Sequence, residues 1–124
     1  MLWAAIALGG GLGAVARHAL NSALQGAARP AFPYGILLVN VLGSAAAGIL
    51  LGLVVSHRIQ LSDTARAFVL VGVLGGFTTF SAFSLDTLEL ARAGHAGRAM
   101  LNVAGNVGLG LLAVWAGFRV AGGA

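Results

Sequence analysis

The sequence has no cysteine, two prolines and only three acidic residues, Asp63, Asp86 and Glu89. Without thiols there is no disulfide framework and nothing from which to read a redox compartment. The shortage of acids excludes more. Asp86 and Glu89 fall toward the outer end of an apolar stretch, and no ionisable group lies deep inside one. Ion-coupled pumps and multidrug exchangers generally need a titratable carboxylate within the bilayer to exchange protons for substrate. Proton-coupled transport is therefore disfavoured, and a passive path is favoured.

Other chemistry is missing as well. His18, His57 and His95 never cluster, which argues against a metal held by side chains. No nucleophile–base pair appears, and GGGLG at 9–13 has no strand before it, so it is weak as a phosphate motif. An enzyme is not expected. The pI near 11.6 would fit nucleic acid, but the arginines are dispersed and form no patch, so they read as anchors at a membrane interface. No basic residue precedes the first apolar run, which therefore reads as a first span rather than a removed signal peptide.

What is present is hydrophobic length. The chain is 59% hydrophobic and 8% charged, with a mean hydropathy of +0.96, beyond what a soluble domain of 124 residues carries. We read residues 1–124 as one all-α, multi-pass membrane domain in contact with lipid. Its four spans run over about 2–24, 34–56, 66–90 and 98–118, each about the ~20 residues a helical crossing requires. Even spacing and short loops, the first containing Arg29, Pro30 and Pro33, predict an antiparallel four-helix bundle. Arg17 and His18 lie where long side chains snorkel to headgroups. Ser44, Gly48 and Gly52, with Gly9 and Gly13, form small-residue ladders suited to close helix packing.

The run GVLGGFTTFSAFS at 72–84 interrupts the third span. Two glycines followed by two threonines continue a helix poorly. Unpaired backbone in lipid costs several kcal/mol per group, so such a break survives only buried in protein or lining a polar path. Phe80 and Phe83 follow it on one helix face. Other polar residues deep in the spans are Asn40, Ser44, Thr78, Thr79, Ser81, Ser84, Asn102 and Asn106. Helix-start amides and ring edges suit an anion, whereas ring faces and carbonyls released at Gly75, Gly76 and Thr78 suit a cation. The sequence leaves ring orientation open. Rings at helical spacing would be ordinary packing were they not beside the break, and a buried asparagine is as often interhelical glue as a ligand.

Arginines are nearly balanced between the two sides: Arg58, Arg66 and Arg119 on one, Arg29, Arg92 and Arg98 on the other, with Arg17 nearby. An orientation rule that needs asymmetry finds almost none, which predicts dual topology and an antiparallel homodimer. Four short helices fill their own core, so a conduction path would run between subunits.

At these residues the chain resembles the CrcB/Fluc family of bacterial fluoride channels. GGGLGAVAR (9–17), GILLVNVLGSAAAG (35–48) and GVLGGFTTFSAFS (72–84) carry the resemblance, in the family's order and at the family's length. It implies antiparallel homodimers in the bacterial plasma (inner) membrane, with two pores that pass fluoride out of the cell. It further implies that Phe80 and Phe83 line the pore, that Asn40 donates to the ion, and that Thr79, Ser81 and Ser84 belong to a polar track. A structural Na⁺ on the dimer axis would be held by backbone carbonyls of Gly75 and Thr78. Arg17, Ser44, Asn102 and Asn106 are further pore or structural polar candidates. Ala82 and His18 stand where the family commonly has threonine and tyrosine, and the fourth span matches loosely. The alternative reading is a small dimeric secondary transporter of organic cations, disfavoured by the absent mid-span acid.

Overall fold

The computed structural model describes residues 1–26 and 31–123, so Arg29 and Pro30 lie outside the described residues. Every regular element among them is helical. Helix α1 is Leu2–Gln25 and α2 is Tyr34–Val55. Helix α3 occupies 63–77, built from Asp63–Arg66, a π-helical stretch Ala67–Leu74 and a last turn Gly75–Phe77. Helix α4 is Phe80–Arg92, and α5 occupies 96–120 with a π-helical insert at Gly105–Leu109.

Among the described residues, three stretches, Tyr34–Val55, Asp63–Arg92 and Ala96–Val120, are long and apolar enough to cross a membrane. Helix α1 has the length, at 24 residues, but its glycines, Arg17 and His18 dilute its hydropathy. The third crossing begins three residues earlier than the sequence predicts, because Ser62 caps it by accepting from the Ala65 N–H at 3.2 Å. The fourth begins at Ala96, where the α4–α5 turn hands the chain over. That turn needs Gly94: its φ of +80° is left-handed, and the following His95 N–H donates to Leu90 O at 2.9 Å.

Glycines decide which helices touch. A Cβ at Gly9 would meet Phe68 O and Val73 N, and one at Gly13 would meet Val73 O and Phe77 N. Residue numbers rise together on α1 and α3, so the two run parallel with backbones in contact. Helix α2 packs on α5 in the same manner. Asn40 meets Asn106, Ser44 meets Gly110, a Cβ at Gly48 would meet Val114 O, and one at Gly52 would meet Phe118 O. Each step of four on α2 is matched by four on α5. Alternate crossings thus share a direction, as an up-and-down bundle requires. Outward positions are large and apolar, among them Trp3, Leu8, Leu12, Leu111 and Trp115. Such a surface suits lipid.

The π-helical inserts were not legible in the sequence. At the second, the Asn106 Nδ2 donates to Asn102 O at 3.0 Å and so competes for an acceptor that a backbone N–H four residues on would use.

Candidate functional site

The third crossing is broken, and the break falls at Thr78–Thr79 rather than at the glycines. Gly75 and Gly76 remain helical, and the missing side chain of Gly76 admits α1: a Cβ there would strike Gly10 O. Thr78 then turns extended, with ψ 157°, and Thr79 follows with φ −154° and ψ 122°. Thr78 closes α3 by donating both its N–H and its Oγ1 to Leu74 O, at 3.0 and 2.9 Å. Thr79 opens α4 as its cap: its Oγ1 accepts from the Ala82 N–H at 3.1 Å.

Asn40, projecting from α2, holds the backbone of Thr79 at the break. Its Oδ1 accepts from the Thr79 N–H at 2.8 Å, and its Nδ2 donates to Thr79 O at 3.0 Å. At two of the carbonyls ending α3, the ordinary amide partner is diverted to a side chain. The Thr79 N–H goes to Asn40 instead of Gly75 O, and the Ala82 N–H goes to Thr79 Oγ1 instead of Thr78 O. Thr78 O accepts instead from Arg17 Nη1 at 3.3 Å. Arg17 is therefore not an interfacial anchor: it turns inward and brings a guanidinium to the break. The break sets released carbonyls of α3 beside the first amides of α4, a negative helix end against a positive one.

Polar side chains then run away from Asn40. Its Nδ2 also donates to Asn106 Oδ1 at 2.8 Å. Asn106 Nδ2 donates to Asn102 O and Asn102 Oδ1, both at 3.0 Å. Asn102, only 1% exposed, donates to Thr87 Oγ1 at 2.9 Å, and Thr87 donates to Phe83 O at 2.7 Å. Thr87 carried no signal in sequence, since a threonine of that kind can satisfy its own preceding turn and do nothing else.

Phe80 and Phe83 lie edge to face, with centroids 5.3 Å apart and planes at 69°. Phe83 is buried at 7% exposure, while Phe80 is 78% exposed. A cavity of about 410 Å³ brings Asn40, Ser44, Phe80, Phe83 and Asn106 together with Gly75 and Thr78. A second, of about 310 Å³, meets the break from the other side, where Arg17, Thr79 and Ser81 line it. Thr79 Oγ1 and Ser81 Oγ are 3.2 Å apart. Ser84 stands apart from both cavities, its Oγ donating to Phe80 O at 2.8 Å.

Of the predicted residues, Asn40, Ser44, Gly75, Thr78, Thr79, Phe80, Phe83 and Asn106 line one cavity, whereas Ser84 lines neither. Asn40, expected to donate to the ion, has both of its N–H groups on protein acceptors. Donation to an ion requires one of them to be exchanged.

Residues 4–118 match the family model described as CrcB-like protein, Camphor Resistance (CrcB). The chain is 49% identical to the "Fluoride-specific ion channel FluC" of Opitutus terrae over 98% of this chain and 93% of that protein. It is 46% identical to the protein of the same name from Thermus thermophilus, covering 94% and 91%. A third, from Paramagnetospirillum magneticum, is 45% identical over 94% and 92%. With the family model spanning nearly its whole length and such relatives matching end to end, the chain belongs to the CrcB family.

Proposed function

We propose that the chain is a passive fluoride channel, not an enzyme, that lets the ion leave the cytoplasm down its electrochemical gradient. The observation that carries this reading is the interrupted third crossing with the Phe80–Phe83 pair beside it. Fluoride is compact and strongly hydrated, so a pore must replace its water with convergent N–H and O–H donors and polarised ring edges. In an edge-to-face pair one ring spends an edge on its neighbour and the other keeps an edge free. The relatives bearing a fluoride-channel name support the same ion. Export follows from acid chemistry: HF diffuses inward, ionises near neutral pH and is trapped as F⁻. A passive conductor lets the membrane potential expel it.

The conducting unit in this reading is an antiparallel homodimer in the bacterial inner membrane, with two pores between its subunits. A single subunit leaves the break lining open cavities, and backbone polar groups at that depth do not face lipid. A second copy is the cover that also accounts for the exposed ring of Phe80. Near-equal arginine counts on the two sides support dual insertion. A reporter at the C-terminus should then be found on both faces of the membrane, and exclusive display on one face removes the antiparallel arrangement.

A Na⁺ on the dimer axis fits the donor chemistry of this chain. Gly75 O and Thr78 O are neutral carbonyls without helical amide partners, the kind of oxygen that takes a small hard cation. The guanidinium of Arg17 on Thr78 O would share that acceptor.

The test is efflux from liposomes holding the purified protein, followed with fluoride and chloride electrodes. Rapid fluoride loss with negligible chloride loss is expected. Equal rates for the two anions, or inert liposomes, overturn the reading.

A further inference from the structure

The amides of Asn40, Asn106 and Asn102 form a chain of hydrogen bonds with a single direction. It starts at the Thr79 N–H, passes through each carboxamide in turn, and ends through Thr87 at Phe83 O. Each amide group spends both of its hydrogens: Asn40 on Thr79 O and Asn106 Oδ1, Asn106 on Asn102 O and Oδ1, Asn102 on Thr87 Oγ1 and Phe83 O. Bonds arranged head to tail polarise one another and strengthen the whole.

The links differ in exposure. Asn102 is sealed in, and the Thr79 carbonyl belongs to the break itself. The 2.8 Å bond from Asn40 Nδ2 to Asn106 Oδ1 joins two residues that both line the 410 Å³ cavity beside Phe80 and Phe83. It is the link that an entering anion meets. Asn106 is also held rigidly. Its Nδ2 is clamped by two oxygens of Asn102, and because a carboxamide is planar this fixes Oδ1 toward Asn40.

We propose that Asn106 is a positioning residue that sets anion specificity: its Oδ1 holds the Asn40 amide in place of the anion until a stronger acceptor displaces it. This rests on the fluoride-channel reading and adds to it. Asn40 remains the donor, but its hydrogen is released only by exchange. A bond to an anionic acceptor is roughly twice as strong as a neutral one, so a compact anion with concentrated charge wins the exchange. A larger halide, with the same charge spread over more surface, gains less and leaves the amide pair closed. Discrimination thus arises from the internal competitor as well as from pore width.

The experiment compares wild-type protein with Asn106→Ala, Asn106→Ser and Asn106→Asp in liposomes, reading fluoride efflux against concentration and chloride efflux in parallel. Removing the competitor in Asn106→Ala should lower the half-saturating fluoride concentration about 5-fold and raise chloride efflux about 10-fold or more. Asn106→Ser keeps a weaker acceptor and should move both quantities less, in the same direction. Asn106→Asp pairs Asn40 with a carboxylate and repels the anion, so fluoride efflux should fall about 100-fold. Unchanged half-saturation and intact chloride exclusion in both Ala and Ser variants overturn the proposal, as does an Ala variant that folds yet loses fluoride flux as completely as Asp. Should Asn106→Ala not assemble, side-chain amide NMR of ¹⁵N-asparagine-labelled wild type decides. Fluoride should shift the Asn40 and Asn106 resonances together and the Asn102 resonance least; no shift at Asn40 overturns the proposal. A wild type that passes no fluoride removes the channel reading itself, whereas a conducting wild type with indifferent Asn106 variants removes only this inference.

Discussion

Asn40 grips both backbone polar groups of one residue, accepting the Thr79 N–H at 2.8 Å and donating to the Thr79 carbonyl at 3.0 Å. A side-chain amide here does what a neighbouring strand would do in a sheet. It lets an extended residue sit between two helices at bilayer depth without leaving its backbone unpaired. The break is thus maintained from α2, one crossing away.

Replacing Asn40 with leucine leaves the Thr79 N–H and the Thr79 carbonyl without this partner, at a cost of about 1–3 kcal/mol each. Thermal unfolding in detergent should show a clear loss of stability, and fluoride efflux should stop. An Asn40→Leu protein as stable and conductive as wild type would mean that Thr79 finds its partners elsewhere.

The two phenylalanines should separate packing from conduction. Phe83 is buried, so Phe83→Ile should cost about 1 kcal/mol of stability in addition to flux. Phe80 is exposed, and Phe80→Ile should leave folding of the chain nearly untouched while slowing fluoride severely, because the ring's polarised edge is gone. Efflux and thermal melts on the same preparations read both quantities. Wild-type flux in either variant would reduce the rings to packing.

Glycine contacts make a graded prediction. Gly48→Ala forces its new Cβ against Val114 O, backbone that has nowhere to move, and should destabilise by about 1–3 kcal/mol. Gly97 has open space around it, so Gly97→Ala should be neutral or gain up to about 1 kcal/mol from helix propensity. The two variants together, measured by thermal melting, distinguish close approach from a general intolerance of glycine replacement.

Thr79 serves as the cap of α4 through its hydroxyl. Thr79→Val keeps the shape but removes the acceptor and should cost about 1 kcal/mol. Thr79→Ser, which retains the oxygen, should restore most of the stability; a Ser variant as weak as Val would assign the loss to the methyl group instead.

Beyond α2, His57 occupies a left-handed conformation with φ 56°, which a side chain resists. His57→Gly should therefore stabilise the protein by about 1 kcal/mol, seen as a raised melting temperature with unchanged fluoride efflux. A fall in melting temperature would show that the imidazole makes compensating contacts.

Much of the site was legible before the fold. The run around Thr78–Thr79 announces a break because glycine and threonine both resist helix at a depth where backbone must be paired. The ladder Ser44–Gly48–Gly52 announces a close helix contact, and it extends one step further, to Asn40 against Asn106. Less visible were the inward turn of Arg17, the place of Thr87 in the polar chain, and the π-helical inserts. A side chain three or four rotatable bonds long has no fixed destination until its acceptor is placed. Thr78 O becomes an acceptor only once Asn40 and Thr79 have taken the amides around it.

Composition and local pattern by themselves determined that this chain crosses a membrane in helices, that the third crossing is interrupted, and that two rings follow the interruption. These depend on hydropathy and backbone preference, which are properties of neighbouring residues. Which groups hold the interruption open, and that Asn40 has both hydrogens engaged, were decided by tertiary structure alone. Hydrogen bonds between residues 39 and 66 positions apart exist only after the helices have packed in register, and close glycine contacts set that register.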